Sequence, residues 1–149
     1  MRIFATFAAA VVLVCAPLAQ AEAATVSKAE ITRILSSQGY NVQEFDANSV
    51  VVNVSGQNIL VAIDGADGDV SYFAWPGVSG SEVSHKLLNK FNNDVKFGRV
   101  YVDRDGDVTI QMDRNSAGGV SAENIESDFD VFLLLISKFL SDLESQSIA

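Results

Sequence analysis

The middle of the sequence alternates between branched apolar and polar residues, and this alternation restricts the possible folds more than any other feature. Valine occupies every second position from Val50 to Val54 within the segment 49–55. The segments 58–64 and 69–75 alternate in a similar way, and glycine, aspartate and asparagine residues separate the three. Because successive side chains of a strand point to opposite faces, this pattern predicts an antiparallel meander with one buried face.

Three further segments complete the predicted sheet. The segment 40–45 fits a short strand ahead of the meander. The segments 99–103 and 107–113 lie on either side of Arg104-Asp105-Gly106, and valine or isoleucine recurs along both. An Asp-Gly pair favours the positive φ angles of a tight turn, so these two segments predict a β-hairpin.

Amphipathic segments predict three helices, at 27–38, 81–93 and 121–144. The order of elements is then α-β-β-β-(β)-α-β-β-α, where the brackets allow for three or four strands before the second helix. One antiparallel sheet packed by three helices, mainly on one face, is the natural arrangement of this order. The predicted fold class is α+β.

Serine residues predict where these helices begin. Ser27 fits an N-cap because Glu30 follows three residues later, as in a capping box. Ser79 or Ser81 fits the start of the second helix, and Ser121 fits the start of the third.

The N-terminus has the pattern of a cleaved signal peptide. Arg2 precedes an apolar run at 3–18, and Ala19-Gln20-Ala21 offers the small residues that a signal peptidase requires. A membrane anchor is the alternative, but the run is shorter than the roughly 20 apolar residues that a spanning helix needs, and Pro17 interrupts it. We expect residues 1–21 to be removed, which leaves one domain at 22–149 in the periplasm or outside the cell. No membrane insertion is expected after cleavage.

Composition excludes several functions for the mature form. The only cysteine is Cys15, so cleavage would remove disulfides and thiolate chemistry together with the leader. The formal charge is −9 and no run of basic residues occurs. Because phosphate binding depends on lysine and arginine, nucleic acids are poor candidate partners.

The sequence contains no recognisable catalytic, cofactor-binding or metal-binding motif. His85 is the single histidine, and its position in the second helix favours a solvated surface residue. Asp103, Asp105 and Asp107 have the alternate spacing of a calcium loop, but Gly106 stands at the fourth position instead of the sixth. We therefore interpret this segment as a hairpin turn. A sensor for calcium or a small ligand, with Trp75 lining a groove, is the alternative function.

The third predicted helix is apolar on two sides. One side is expected to pack on the sheet, and its residues are Ile125, Phe129, Phe132, Leu133, Ile136, Phe139, Leu140 and Leu143. Val131, Leu134 and Leu135 lie on the opposite side and form a candidate interaction patch. We expect this patch to contact a second copy of the chain or another protein. The alternative is that segment 40–45 or the first helix covers it.

From residue 27 to residue 143 the sequence resembles the YbjN-type domain, a family described as a regulator of bacterial sensory transduction. Three groups of residues carry the resemblance: Leu88-Asn89-Lys90-Phe91-Asn92, Phe97-Gly98-Arg99-Val100-Tyr101 with residues 103–108, and Gly118-Gly119-Val120-Ser121. Phe91 stands where the family favours tryptophan. The resemblance implies a fold similar to the small dimeric chaperones of type III secretion. It also implies a non-enzymatic binding or chaperone-like role through protein contacts, including a homodimer.

Overall fold

The structure is a computed structural model that describes residues 25–148, with side chains for residues 25–146. The predicted signal peptide lies outside these residues. The described elements confirm the α+β fold and the order of helices and strands. They are α1 (Lys28–Ser37), β1 (Asn41–Glu44), β2 (Ser49–Val54), β3 (Gln57–Asp64), β4 (Asp69–Ala74), α2 (His85–Asp94), β5 (Gly98–Val102), β6 (Val108–Arg114) and α3 (Ala122–Ile148).

The six strands form one antiparallel sheet in the order β1-β2-β3-β4-β6-β5. The first four strands are a meander, and β6 lies between β4 and β5, so β1 and β5 are the two edges. Tight turns fix this register. In the predicted hairpin, Gly106 has a φ of 90°, which a residue with a side chain rarely adopts.

All three helices cover the same face of the sheet. α1 contacts β1 and β2, α3 contacts β4 and β6, and α2 contacts β5, while α3 also contacts the other two helices. The core lies between the helices and the sheet, and its largest side chains are aromatic. Tyr72 lies 5.7 Å from Phe132, and Phe91 meets Phe139 edge to face at 5.6 Å.

The start of α2 differs from the sequence prediction. The capping box at Ser79 and Glu82 closes a single 3-10 turn, Gly80–Glu82, instead of starting the long helix. Val83 then adopts an extended backbone, and the Ser84 side chain accepts a hydrogen bond from the Leu87 amide. α2 therefore begins at His85. Two capping signals in succession made the boundary ambiguous in the sequence.

α3 continues beyond its predicted end at residue 144. The side-chain oxygen of Gln146 accepts hydrogen bonds from the Ser84 amide and hydroxyl, at 3.1 and 2.6 Å. The end of α3 is thus attached to the start of α2, so the last turns are held in place. Within residues 25–148, no helix is both long and apolar enough to cross a membrane.

Candidate interaction surfaces

The structure separates the three residues of the patch predicted on α3. Leu134 is 69% exposed, whereas Leu135 is 6% exposed and belongs to the core. Leu135 packs against the first residue of β5, since a Cβ atom added to Gly98 would lie 2.4 Å from its Cδ1. Val131 is half-buried. The start of β5 therefore contributes to the cover of Leu135, and the exposed part of the patch is Leu134 with Val131.

An exposed aromatic residue lies near this patch. Phe97 is 77% exposed and has a φ of 69°, which is costly for a bulky residue. Phe97, Val131, Met112 and Arg114 line one open cavity of about 430 Å³. No local pattern in the sequence marks Phe97 as a surface residue. The surface formed by Phe97, Val131 and Leu134 is named the α3 patch below.

A separate apolar surface lies on the side of the sheet that faces away from the helices. Val51, Leu60 and Phe73 are direct cross-strand neighbours on β2, β3 and β4. They alternate with the buried residues of the same strands, so they point away from the core. All three are half-buried by their neighbours and accessible to solvent. This surface is named the open face.

Trp75 extends the apolar row of the open face. Its ring stacks on Phe73 with the centroids 6.1 Å apart and an angle of 15° between the planes. Trp75 is the only tryptophan of the chain and is 41% exposed. The Trp75 side chain also lies close to the Asp103 carboxylate of the neighbouring hairpin.

Asp103 organises the aspartate-rich turn between β5 and β6. Its carboxylate accepts hydrogen bonds from the Thr109 hydroxyl at 2.9 Å and from the amides of Asp105 and Asp107 at 3.0 Å each. These donors, the Thr109 hydroxyl first, lower the pKa of the Asp103 carboxyl below its ordinary value. The interpretation of this segment as a hairpin turn is confirmed by the pairing of β5 with β6. Among the residues that the structure describes, no cluster of three His, Cys, Asp or Glu side chains is arranged to hold a metal ion.

The half of the open face near β5 is polar and internally hydrogen-bonded. Asp113 accepts hydrogen bonds from Ser71 and Gln111, both at 2.8 Å, and pairs with Arg99 at 3.0 Å. The Tyr101 hydroxyl donates to the Gln111 side chain at 2.8 Å. Each of these polar groups has a partner, so their side chains are held in one arrangement without a ligand.

Both edges of the sheet carry a polar side chain from a helix. At β5, the Asn92 side-chain amide accepts from the Val100 N–H at 2.8 Å and donates to the Val100 carbonyl at 2.9 Å. Next to β1, Lys28 pairs with Glu44 at 3.1 Å and donates to the Asp46 carbonyl at 2.9 Å. Exposed edges otherwise invite the addition of a foreign strand. Asn92 blocks that addition at the centre of β5.

An ion pair between β6 and α3 was not foreseen from the sequence. Arg114 donates to both carboxylate oxygens of Asp128, and both side chains are mostly buried. Burial and the nearby Asp128 charge raise the pKa of Tyr72. The Tyr72 hydroxyl has no hydrogen-bond partner within residues 25–148. His85, the predicted surface histidine, is exposed at the first position of α2.

The sequence and the fold were compared with those of known proteins. Residues 27–145 match the YbjN family, described as "Putative bacterial sensory transduction regulator". No curated protein matches the sequence significantly. Among solved structures, the chain is similar to one described as "Crystal structure of YbjN, a putative transcription regulator from E. coli".

That similarity has a TM-score of 0.65 and covers 84% of this chain and 95% of the other. The sequences are 16% identical, so the structural likeness concerns the fold alone. The family match, in contrast, covers nearly all of the residues that the structure describes. The chain therefore belongs to the YbjN family.

Proposed function

We propose that this chain is an exported, non-enzymatic binding domain that acts through protein–protein contacts on the open face of its sheet. The observation that supports this most strongly is the composition of that face. Tryptophan, tyrosine and arginine dominate the binding energy of protein interfaces, and Trp75, Tyr101 and Arg99 lie together on the open face. Arg99 lies 5.9 Å from the centre of the Tyr101 ring.

Preorganisation of this face also supports a binding role. The ion pair with Asp113 holds Arg99 before a partner arrives, and stacking on Phe73 holds Trp75. The side chains of the open face then lose less conformational entropy on binding than mobile side chains would. Regulation and chaperone-like activity both require a binding surface of this kind, which agrees with the description of the family.

The binding role is tested by photo-crosslinking in intact cells. A benzoylphenylalanine residue replaces Leu60 on the open face, Leu134 on the α3 patch, or the exposed Ala29 on α1 as the control. We expect Leu60 to give a protein adduct and Ala29 to give none. Adducts from Leu134 without any from Leu60 would move the interface to α3 and overturn the proposal.

Export is tested separately with the full-length chain. We expect cell fractionation to find it in the periplasm or medium, with a mature N-terminus at Glu22 after cleavage behind Ala21. An uncleaved cytoplasmic protein would contradict export and leave the binding surface unaffected.

The α3 patch supports a second proposal, a homodimer. Leu134 and Phe97 are exposed apolar residues with no cover from residues 25–148, and a two-fold axis would bring each patch against its copy. Sedimentation velocity of wild type and Leu134→Glu tests this proposal. We expect a dimer that the substitution dissociates, and a monomer at all concentrations would refute it.

A further inference from the structure

We infer that the partner of the open face is a cationic amphipathic helix, with an apolar middle and lysine or arginine residues near both ends. This inference rests on the proposed binding function and specifies the chemistry of the partner. It follows from the distribution of charge on the open face, from the distance between its charged ends, and from the protection of the sheet edge at β5.

The middle of the open face has no net charge although the whole chain is strongly acidic. Within the described chain, the charged side chains there are Arg99 and Asp113, which neutralise each other. Ser71 and Gln111 beside this pair are hydrogen-bonded to Asp113. The area around Leu60 and Phe73 is apolar. A partner must therefore present apolar side chains to this area, because burying an unpaired charge against it would be costly.

Both ends of the open face are acidic. Asp64 lies directly opposite Asp69 where β3 meets β4. At the other end, the Asp103 amide bonds to the Asp107 carbonyl at 2.9 Å, so these two aspartates also face each other. Like charges directly opposite each other destabilise a strand pair. Cationic side chains of a partner would offset that repulsion at both ends.

One acidic end also has a depression that can receive a cationic side chain. Asp64, Asp69 and Asp113 line it together with Ser71, and its volume is about 390 Å³. Because Asp113 is paired with Arg99, the negative charge of the depression comes from Asp64 and Asp69. Arg114 lines the same depression, but its guanidinium is neutralised by Asp128. The depression therefore complements the head group of lysine or arginine.

The geometry favours a helix over an extended strand. Asn92 occupies the backbone groups at the centre of β5, so an extended segment finds no pairing there. The open face offers side chains only, and a helix satisfies its own backbone hydrogen bonds. The acidic ends are about eight strand residues apart, or about 25 Å. A helix of about 16 residues spans this distance.

The first experiment uses synthetic peptides and the fluorescence of Trp75. The probe is a tryptophan-free helical peptide of about 16 residues, with leucine on one face and lysine in the first and last turns. The control peptide replaces each lysine with glutamate. We expect only the lysine peptide to shift Trp75 emission to shorter wavelength, with affinity that falls as salt is added. Equal binding of both peptides would overturn the inference.

Matched variants locate the site. We expect Leu60→Ser on the open face to weaken the lysine peptide about tenfold. Leu140→Ser makes the same chemical change on α3, where the side chain is partly exposed, and should leave affinity unchanged. Asp64→Asn with Asp69→Asn should reduce the salt dependence. If Leu140→Ser matches Leu60→Ser, the peptide binds elsewhere and the inference fails.

The cross-linked partner separates this inference from the proposed function. Mass spectrometry of the Leu60 adduct identifies the partner segment that lies on the open face. A segment with an apolar helical face and basic ends supports both proposals. A segment without basic residues, a second copy of this chain, or a lipid in place of a protein would overturn the inference. A protein segment without basic ends would leave the binding function standing, whereas no adduct would refute both.

Discussion

Adjacent leucines on α3 allow the packing of this fold to be tested with one chemical change at two positions. Leu135 is nearly inaccessible, so Leu135→Ala leaves a cavity against Gly98. Such substitutions destabilise by about 2–5 kcal/mol. Leu134 has lost only about a third of its accessibility, and full burial of leucine contributes about 1.5–3 kcal/mol. The same truncation at Leu134 should therefore cost about 0.5–1 kcal/mol.

Thermal unfolding followed by circular dichroism measures this difference. For a domain of this size, 1 kcal/mol corresponds to about 4 °C in Tm. We expect Leu135→Ala to lower Tm by about 8–20 °C and Leu134→Ala by about 2–4 °C. Measurements at several protein concentrations distinguish a dimer contact from packing within one chain. If Leu134 lies in a dimer contact, the decrease in Tm caused by Leu134→Ala depends on protein concentration. Equal losses at the two positions would refute the assignment of Leu135 to the core.

Three other perturbations test separate parts of the structure. Asn92→Ala leaves the backbone N–H and carbonyl of Val100 unpaired at the β5 edge. We expect the free energy of unfolding in urea to fall by about 1–3 kcal/mol and the protein to self-associate more. Asn89→Ala on the same helix is the control. If both variants lost the same stability and self-associated equally, Asn92 would not protect the β5 edge. Asp128→Asn breaks the mostly buried pair with Arg114 and should cost about 2 kcal/mol. Asp94→Asn removes the exposed pair with Lys90 and should leave Tm unchanged. If Asp128→Asn and Asp94→Asn lowered the stability equally, the buried pair would not contribute more than the exposed one. The hydrogen bond from Thr109 lowers the pKa of Asp103 in the folded state. The ionised carboxylate therefore stabilises the fold above its ordinary pKa of 3.8. This contribution is lost as pH falls through the lower pKa of the folded state. Asp103→Asn should therefore weaken the decrease in the free energy of unfolding at acidic pH. An unchanged pH dependence would argue against the Thr109 hydrogen bond.

Local pattern was sufficient to predict most of the fold. Alternation at 49–64 and the turn at Gly106 are properties of neighbouring residues, and both strands and hairpin appear where the pattern indicated. The start of α2 was misplaced because Ser79 and Ser84 both cap a turn. Sequence alone does not reveal which of two consecutive caps precedes the longer helix.

The candidate site depends on long-range pairing, so little of it was predictable. Val51, Leu60 and Phe73 become neighbours only through the strand register. Leu135 was assigned to an outer patch from helical periodicity, but the position of β5 at the sheet edge decides its burial. Trp75 was identified as a candidate, whereas its stacking on Phe73 required the folded chain.

Fluorescence of Trp75 tests the role of the open face most directly, because the chain's only tryptophan lies on it. The partner identified by crosslinking is added to the purified mature protein while sedimentation records complex formation independently. If the partner covers the open face, Trp75 emission shifts to shorter wavelength and acrylamide quenching falls in parallel with the complex. Complex formation without any change in Trp75 emission or quenching would show that the partner binds elsewhere.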